Sequence, residues 1–255
     1  MGCHPPYFWV DYKMNINGIK VLVTRPAHQS EHLCQLIAEK GGQPVRLPVI
    51  EIVEFEDKSA LFECRKQSLD IAIFISANAV EKTLPTLQNH LPRQVIAVGK
   101  RTAQTLNAWG ITALCPPPPF NSEALLEMPQ MQTVTGKKIV IFRGEGGREL
   151  LAETLRERGA TVNYVQVYRR VQPPVPAWIA NTQIDIIIVT SQEGLRNLFA
   201  MLDGQSWLRH TPLVVMSERI RAEAERFGVD APVFVASAAS DEGLLEGVLQ
   251  MPSTL

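Results

Sequence analysis

The sequence is poor in the features that mark several large classes of protein. Its 255 residues contain no run of about 18 apolar residues, the length that a membrane-spanning helix needs. The four cysteines form no C-x-x-C pair, which gives no sign of a disulfide framework and favours a reduced, cytoplasmic protein. The formal net charge is −1, so no broad positive field attracts nucleic acid or an anionic membrane. Any acidic ligand must therefore be held by local groups.

Nucleotide, metal and nucleophile motifs are also incomplete. Gly144–Gly147 follows a predicted strand but lacks the G-x-G-x-x-G spacing, and Gly99–Lys100 lacks the earlier glycine of a phosphate-binding loop. His28 and His32 lie four apart on a predicted helix, yet no cysteine or carboxylate cluster completes a metal site. No G-x-S-x-G sequence marks a nucleophilic serine. The sequence therefore predicts neither a metal nor a cofactor.

The chain does contain an internal repeat. Lys20–Arg25 resembles Lys138–Arg143, and the same offset of 118 positions pairs Gly41 with Gly159. Later segments keep nearly this register, which indicates an internal duplication. A length of 255 residues suits two small cores. Residues 1–17 resemble neither copy, and we expect them to form a disordered extension.

Both copies alternate short apolar strands with amphipathic helices. The predicted strands are residues 21–23, 71–75, 94–98, 138–142, 164–168, 185–189, 212–216 and 231–236. Residues 44–50 also read as extended, and their two prolines suit the edge of a sheet better than its centre. Strands that alternate with helices predict an α/β fold made of two similar lobes, each a parallel sheet flanked by helices.

Small polar or basic residues follow most of the predicted strands. In parallel α/β sheets, ligands bind beyond the carboxyl ends of the strands, where helix N-termini offer N–H groups to anions. The candidate residues in these loops are Arg25, Ser76, Lys100, Arg101, Thr102, Arg143, Ser191 and Ser217. Helix capping alone is the simpler interpretation of any single hydroxyl in this set.

Five motifs in order resemble one known family. They are Val21–Pro26, Phe74–Val80, Val98–Ala103, Val167–Arg170 and Ser240–Leu245. Together they resemble uroporphyrinogen-III synthases over about residues 19–249. Each motif is loose, but their order and spacing are specific.

The resemblance implies a fold and a reaction. One lobe would comprise residues 18–49 and 171–255 and the other residues 50–170, joined by a two-stranded connection. The substrate would be hydroxymethylbilane, a linear tetrapyrrole with eight carboxylates. It would lose its hydroxyl as water and close, through a spiro intermediate, into a ring with the terminal pyrrole inverted. Positioning of the chain would dominate such catalysis.

The resemblance also implies roles for residues. Tyr168 would donate a hydrogen bond or proton to the leaving hydroxyl, with a modest effect because a phenol is a weak acid; packing of a lobe is its alternative role. Ser76, Thr102 and Ser191 match positions that bind substrate. Arg25, Lys100, Arg101 and Arg143 are carboxylate partners by position only. Ser217 is a further candidate for substrate binding, but the stretch Ser217–Ile220 departs from the common pattern, in which a threonine is often found.

The expected protein is a cytoplasmic monomer without cofactor, in transient contact with the preceding enzyme of the pathway. A non-enzymatic tetrapyrrole- or anion-binding module of the same fold is the alternative, because a fold does not fix a function. An enzyme acting on a phosphate ligand is a third interpretation.

Overall fold

The computed structural model describes residues 16–251 and divides the chain into two compact units. The first unit runs to Glu51 and resumes at Gln172, and the second is Ile52–Val171. The predicted extension lies outside the described residues except for Ile16 and Asn17. Ile16 is buried in the core of the first unit, where it covers Gly42. The predicted lobe bounds, residues 18–49 with 171–255 and residues 50–170, stay predictions.

The elements alternate along the chain as the sequence predicts. The strands are β1 (Lys20–Val23), β2 (Gln43–Arg46), β3 (Glu51–Glu54), β4 (Ile71–Phe74), β5 (Gln94–Ala97), β6 (Lys138–Gly144), β7 (Thr161–Val171), β8 (Ile186–Val189), β9 (Leu213–Val215) and β10 (Val233–Val235). The α-helices are α1 (Ala27–Glu39), α2 (Ser59–Lys66), α3 (Ala77–Leu87), α4 (Lys100–Ala108), α5 (Ser122–Leu126), α6 (Pro129–Gln132), α7 (Leu150–Glu157), α8 (Gln192–Met201), α9 (Trp207–His210), α10 (Glu218–Arg226) and α11 (Asp241–Gln250). Single 3₁₀ turns occupy Gln88–His90 and Ala177–Asn181.

The first unit is built on a parallel five-stranded sheet in the order β10-β9-β8-β1-β2. Strand β2 carries Pro44 and lies at the edge, where a missing N–H costs no ladder hydrogen bond. The central strands β1 and β8 are almost wholly apolar and buried, as expected for a sheet covered on both faces. Strand β1 therefore joins a sheet whose other central strands come from the far end of the chain.

The second unit has the sheet order β3-β7-β6-β4-β5. The pairs among β7, β6, β4 and β5 are parallel. Their order repeats the order β2, β1, β8 and β9 of the first unit, which agrees with the duplication seen in the sequence. The predicted α/β class with two parallel sheets flanked by helices is confirmed.

Alternating side chains of the second sheet fill two separate cores. Val140 and Phe142 of β6 pack with α2, α3 and α4 on one face, where the rings of Phe142 and Phe74 stack at 4.9 Å. Ile139 and Ile141 pack with α5, α6 and α7 on the opposite face. Each fully buried side chain of this size contributes roughly 1.5–3 kcal/mol by its removal from water. We call these sides the α3 face and the α7 face.

No helix among residues 16–251 is both long enough and apolar enough to cross a bilayer.

Candidate functional site

A bulge in strand β7 determines where Tyr168 lies. The register between β6 and β7 pairs Arg143 with Gln166 but Gly144 with Tyr168, so Val167 is an extra residue on β7. Simple alternation would put Val167 and Tyr168 on opposite faces of the sheet. The bulge instead places both of them in the core of the α3 face. Tyr168 is therefore buried, with 3 % of its surface exposed.

Ser76 is the hydrogen-bond partner of the Tyr168 phenol. Ser76 is the N-cap of α3, and its Oγ accepts from the backbone N–H of Ala79 at 3.1 Å. The same Oγ lies 3.1 Å from Tyr168 Oη. Capping fixes the serine hydroxyl, and the serine in turn orients the phenol. Two residues 92 positions apart, both predicted as site residues, are thus brought together.

Gly144 provides the space for the Tyr168 ring. A Cβ atom at this position would lie 2.7 Å from Cε2 and Cζ of Tyr168 and 3.1 Å from its hydroxyl. The carbonyl of Tyr168 also accepts a hydrogen bond from the N–H of Glu145 at 2.8 Å. The ring therefore lies directly on the backbone at the end of β6, and only glycine permits that approach.

Arg143 points to the α7 face, away from Tyr168. Its guanidinium is buried, donates to Glu149 Oε1 at 2.9 Å and to the carbonyl of Gly146, and lies 4.3 Å from the centre of the Tyr164 ring. A Cβ on Gly147 would come within 2.5 Å of Nη2 of this arginine. The predicted carboxylate partner is thus held by groups of its own loop.

Tyr164 faces the same side of the sheet as Arg143 and was not among the predicted site residues. Burial, followed by the charge of Glu149, raises the pKa of the Tyr164 phenol, while the Arg143 charge opposes that shift. Its buried hydroxyl has no partner at hydrogen-bond geometry among the described residues, although Glu149 and the backbone of Ala152 lie close enough to influence its pKa. Val162 and Tyr164 are two positions apart on β7 and therefore face the same side of the sheet; this spacing is the sequence signal that places Tyr164 there.

Helix α4 presents three predicted site residues at its first turn. Lys100 and Arg101 are exposed, and neither forms an ion pair with another described residue. Thr102 is buried, with 4 % exposure. The N-cap, Gly99, makes no side-chain cap bond, so the N–H groups of this helix end meet no side-chain acceptor at the cap. Cations and N–H groups at one helix start suit a carboxylate.

In the first unit, Arg25 forms an ion pair with Asp241 at the start of α11. Asp241 Oδ2 also lies 2.9 Å from Nδ1 of the exposed His32. Arg25 is mostly buried, with 13 % of its side chain exposed. Like Arg143, this predicted carboxylate partner already has a carboxylate of the chain beside it.

Ser191 and Ser217 each begin a helix of the first unit. Ser191 Oγ accepts from the N–H of Gly194 at 2.9 Å and so caps α8, as Ser76 caps α3. Ser217 is the N-cap residue of α10 but makes no side-chain cap bond. Capping accounts for Ser191, and the structure brings neither serine to a tyrosine hydroxyl.

Metal-ligand side chains do not gather within residues 16–251, where no group of three or more His, Cys, Asp or Glu residues is placed to hold an ion. The predicted site residues offer hydroxyls, N–H groups and guanidinium or ammonium groups. These are hydrogen-bond donors and cations, which suit a ligand rich in carboxylates.

Comparison with known proteins gives one consistent result. The family model described as Uroporphyrinogen-III synthase HemD matches residues 31–246. The chain is 30% identical over 247 residues to the uroporphyrinogen-III synthase of Escherichia coli (strain K12), covering 90% of this chain and 100% of that protein. It is 33% identical over 208 residues to that of Synechococcus elongatus, covering 74% of this chain and 78% of the relative.

Solved structures share the fold. The uroporphyrinogen-III synthetase of Helicobacter pylori superimposes with a TM-score of 0.60 at 17% identity, covering 91% of this chain and 98% of that one. A mutant uroporphyrinogen III synthase of Thermus thermophilus gives a TM-score of 0.58 at 18% identity, covering 91% and 97%. Because the sequence matches span nearly the whole chain and the fold agrees, the chain belongs to the uroporphyrinogen-III synthase family.

Proposed function

We propose that the chain cyclises hydroxymethylbilane to uroporphyrinogen III, the reaction expected from its family. The sequence match covers all of the Escherichia coli synthase, so no part of that relative lacks a counterpart here. The Ser76–Tyr168 hydroxyl pair is the observation that carries the chemical part of this proposal. A binding module needs no such pair, which is why we favour the enzyme.

The reaction begins with departure of the hydroxyl of the bilane. Tyr168 donates its proton, or a hydrogen bond, to that hydroxyl, which leaves as water. The adjacent pyrrole nitrogen stabilises the resulting cation, so the protein needs no nucleophile. The substituted carbon of the terminal pyrrole then attacks this cation, and the spiro intermediate rearranges to the inverted ring. Loss of a ring proton restores aromaticity and returns the proton balance to zero.

The geometry around Ser76 supports a donor role for the phenol. Ser76 Oγ already accepts from the Ala79 N–H, and its own hydroxyl hydrogen is available for Tyr168 Oη. If Ser76 donates to the phenolic oxygen, the phenol O–H points elsewhere and serves the substrate. Hydrogen bonds in such a chain strengthen one another, which makes the phenol a better donor.

Carboxylates of the bilane meet a set of donors that differ in availability. Lys100 and Arg101 at the start of α4 have no ion-pair partner among the described residues, so they bind without releasing a carboxylate of the chain. Arg25 must first share or exchange Asp241, and Arg143 keeps only its Nε–H beside its pair with Glu149. We therefore assign the first contact with substrate carboxylates to α4, with Thr102, Ser191 and Ser217 as uncharged contacts.

The test mixes purified protein with fresh hydroxymethylbilane, oxidises the products and separates the porphyrin isomers. Isomer III in excess supports the synthase. Isomer I alone, the product of unassisted closure, contradicts it and favours the binding module. A mononucleotide thermal-shift screen tests the phosphate-ligand enzyme.

Tyr168→Phe then tests the acid role. The ring and its packing stay, and only the hydroxyl is lost, so the free energy of unfolding changes by no more than about 1 kcal/mol. We expect kcat to fall roughly tenfold, the value of one lost hydrogen bond, with isomer III still formed. An unchanged kcat would mean that Tyr168 packs in the core and donates neither a hydrogen bond nor a proton to the leaving hydroxyl.

We also expect a cytoplasmic monomer that contacts the enzyme supplying its substrate only transiently. Size-exclusion chromatography of the protein alone tests whether it is a monomer, and the same experiment with the supplying enzyme added tests whether the contact is transient. A stable co-eluting complex would contradict transient contact.

A further inference from the structure

Two buried polar atoms without partners lie on the same cavity. Among the described residues, four buried side-chain atoms lack a hydrogen bond: Thr83 Oγ1, Arg143 Nε, Tyr164 Oη and Glu223 Oε2. Buried polar groups in folded proteins are nearly always paired, so each such atom calls for an explanation. Arg143 and Tyr164 both line one cavity on the α7 face of the second sheet.

The cavity has a volume of about 260 Å³. One buried water needs only roughly 10–15 Å³, so this space admits a small organic group. Its floor is apolar and includes Ile75, Val98 and Leu151, and its polar side chains are those of Asn121, Ser122, Arg143, Arg148 and Tyr164. An apolar floor with a few convergent polar groups is typical of a ligand site.

Arg143 is held so that one of its donors remains for a ligand. Only 3 % of the side chain is exposed, and Nη1 donates one hydrogen bond to Glu149 Oε1 and Nη2 one to the Gly146 carbonyl. The Nε–H keeps no partner. Gly147 leaves room for the guanidinium where a Cβ would lie 2.5 Å from Nη2. The loop thus fixes the guanidinium without satisfying it.

Tyr164 and Arg148 add two further donors to the lining. Tyr164 keeps its phenolic hydrogen well beyond neutral pH, because burial and Glu149 raise its pKa. Arg148 is 66% exposed and pairs with Glu123 at 2.5 Å, so a ligand at the solvent side must share this arginine with Glu123. Asn121 Oδ1 already accepts from the Ala124 N–H, so the Arg143 Nε–H and the Tyr164 hydroxyl are the unsatisfied groups that select an anion, and a planar carboxylate matches the geometry of a guanidinium.

We propose that this cavity binds a single carboxylate group, with Arg143 Nε and Tyr164 Oη as donors at the buried end and Arg148 at the open end. The identity of the molecule that carries this carboxylate rests on the proposed function. The carboxylate is that of an acetate or propionate arm of the bilane, and a free small carboxylate offers the same chemistry. The cavity lies on the face of the sheet opposite Tyr168, so it holds an arm of the ligand and does not take part in proton transfer.

The arginine Nε–H resonances of the full-length, ¹⁵N-labelled protein provide a direct test. Arg143→Lys assigns the Arg143 signal, and Arg158 is the internal control because its Nη1 donates to the carbonyls of Leu126 and Met131. The probes are uroporphyrin III, propionate and inorganic phosphate. We expect the Arg143 signal to shift saturably with uroporphyrin III or propionate, more weakly with phosphate, while the Arg158 signal stays. If the Arg143 signal shifts with neither uroporphyrin III nor propionate, the proposal is overturned.

Tyr164→Phe supplies a second readout that does not depend on the arginine. It removes only Oη, and we expect carboxylate binding at the Arg143 signal to weaken about tenfold, as for loss of one hydrogen bond to a charged group. A parallel tenfold rise in KM for the bilane, with kcat unchanged, assigns the carboxylate to the substrate. An unchanged KM with weakened propionate binding assigns it to a free carboxylate. Unchanged binding in both assays overturns the proposal.

Failure of the proposed function is distinguishable from failure of this inference. Production of isomer I alone would reject the synthase, and the propionate titration would still decide whether the cavity binds a carboxylate.

Discussion

Gly144→Ala tests whether the backbone of β6 positions the Tyr168 phenol, which we propose as the proton donor. The added Cβ would lie 2.7 Å from two ring atoms of Tyr168, whereas carbon atoms pack at about 3.5–4.0 Å. Relief of this overlap requires a ring displacement of about 1 Å. The Oη to Ser76 Oγ distance, now 3.1 Å, would then reach about 4 Å, which is beyond hydrogen-bond range. Gly144 is not among the glycines of positive φ in the described chain, so the cost is steric.

We expect two separable effects of this substitution. Overpacking lowers the free energy of unfolding by about 1–3 kcal/mol, measured by urea titration. Misplacement of the phenol lowers kcat roughly tenfold, measured by isomer III formation. The same alanine in a Tyr168→Phe background should again lower stability, but it should leave kcat at the value of Tyr168→Phe alone, because no hydroxyl remains to misplace.

Comparison of the double variant with Tyr168→Phe tests whether Gly144 acts through the phenol. A further tenfold fall in kcat on adding Gly144→Ala to Tyr168→Phe would show that the glycine acts on something other than the phenol. Full activity of the single Gly144→Ala variant would refute the positioning role altogether.

Three further predictions follow from single contacts. Ser76→Ala should lose about 1 kcal/mol of stability and roughly tenfold in kcat. The control variant Ser240→Ala removes an equivalent N-cap hydrogen bond of 3.1 Å and should lose stability only. Equal activities in the two variants would contradict the pairing of Ser76 with the phenol. Lys100→Ala and Arg101→Ala should each raise KM about 2–5-fold with kcat unchanged, and added salt should erase the difference from the parent protein. The pKa of Tyr164 is higher in the folded protein than its ordinary value of 10.0, so its contribution to the free energy of unfolding is complete below pH 10.0 and is lost as the pH rises through the folded pKa. Urea titrations across alkaline pH should show this loss in the parent protein and not in Tyr164→Phe.

Much of the fold followed from the sequence because its signals are local. Continuous apolar runs such as Ile71–Phe74 and Ile186–Val189 are typical of strands covered on both faces, and serines before helices mark N-caps. Strand β3 and helix α2 were missed. Glu51–Glu54 is short and carries a glutamate at each end, and Ser59–Lys66 has only two fully buried residues, so both patterns are weak.

The site was harder to predict because it depends on contacts between distant positions. The resemblance pointed to Ser76 and Tyr168 separately, but their hydrogen bond requires the β7 bulge, and one extra residue in a strand leaves no local signature. The same holds for Arg143 and Arg25. Position alone marked both as ligand groups, and only the structure shows that Glu149 and Asp241 already bind them.

The glycine-rich stretch Arg143–Gly147 acquires a physical explanation from the same alternation. Arg143 and Gly144 are neighbours on β6 and therefore face opposite sides of the sheet. Gly144 admits the Tyr168 ring on the α3 face, and Gly147 admits the Arg143 guanidinium on the α7 face. A sequence that resembles a nucleotide-binding loop is thus accounted for by two close side-chain approaches. Because one turn of backbone contacts both the phenol and the guanidinium, the same five residues determine the positions of the proposed acid and of the proposed carboxylate cavity.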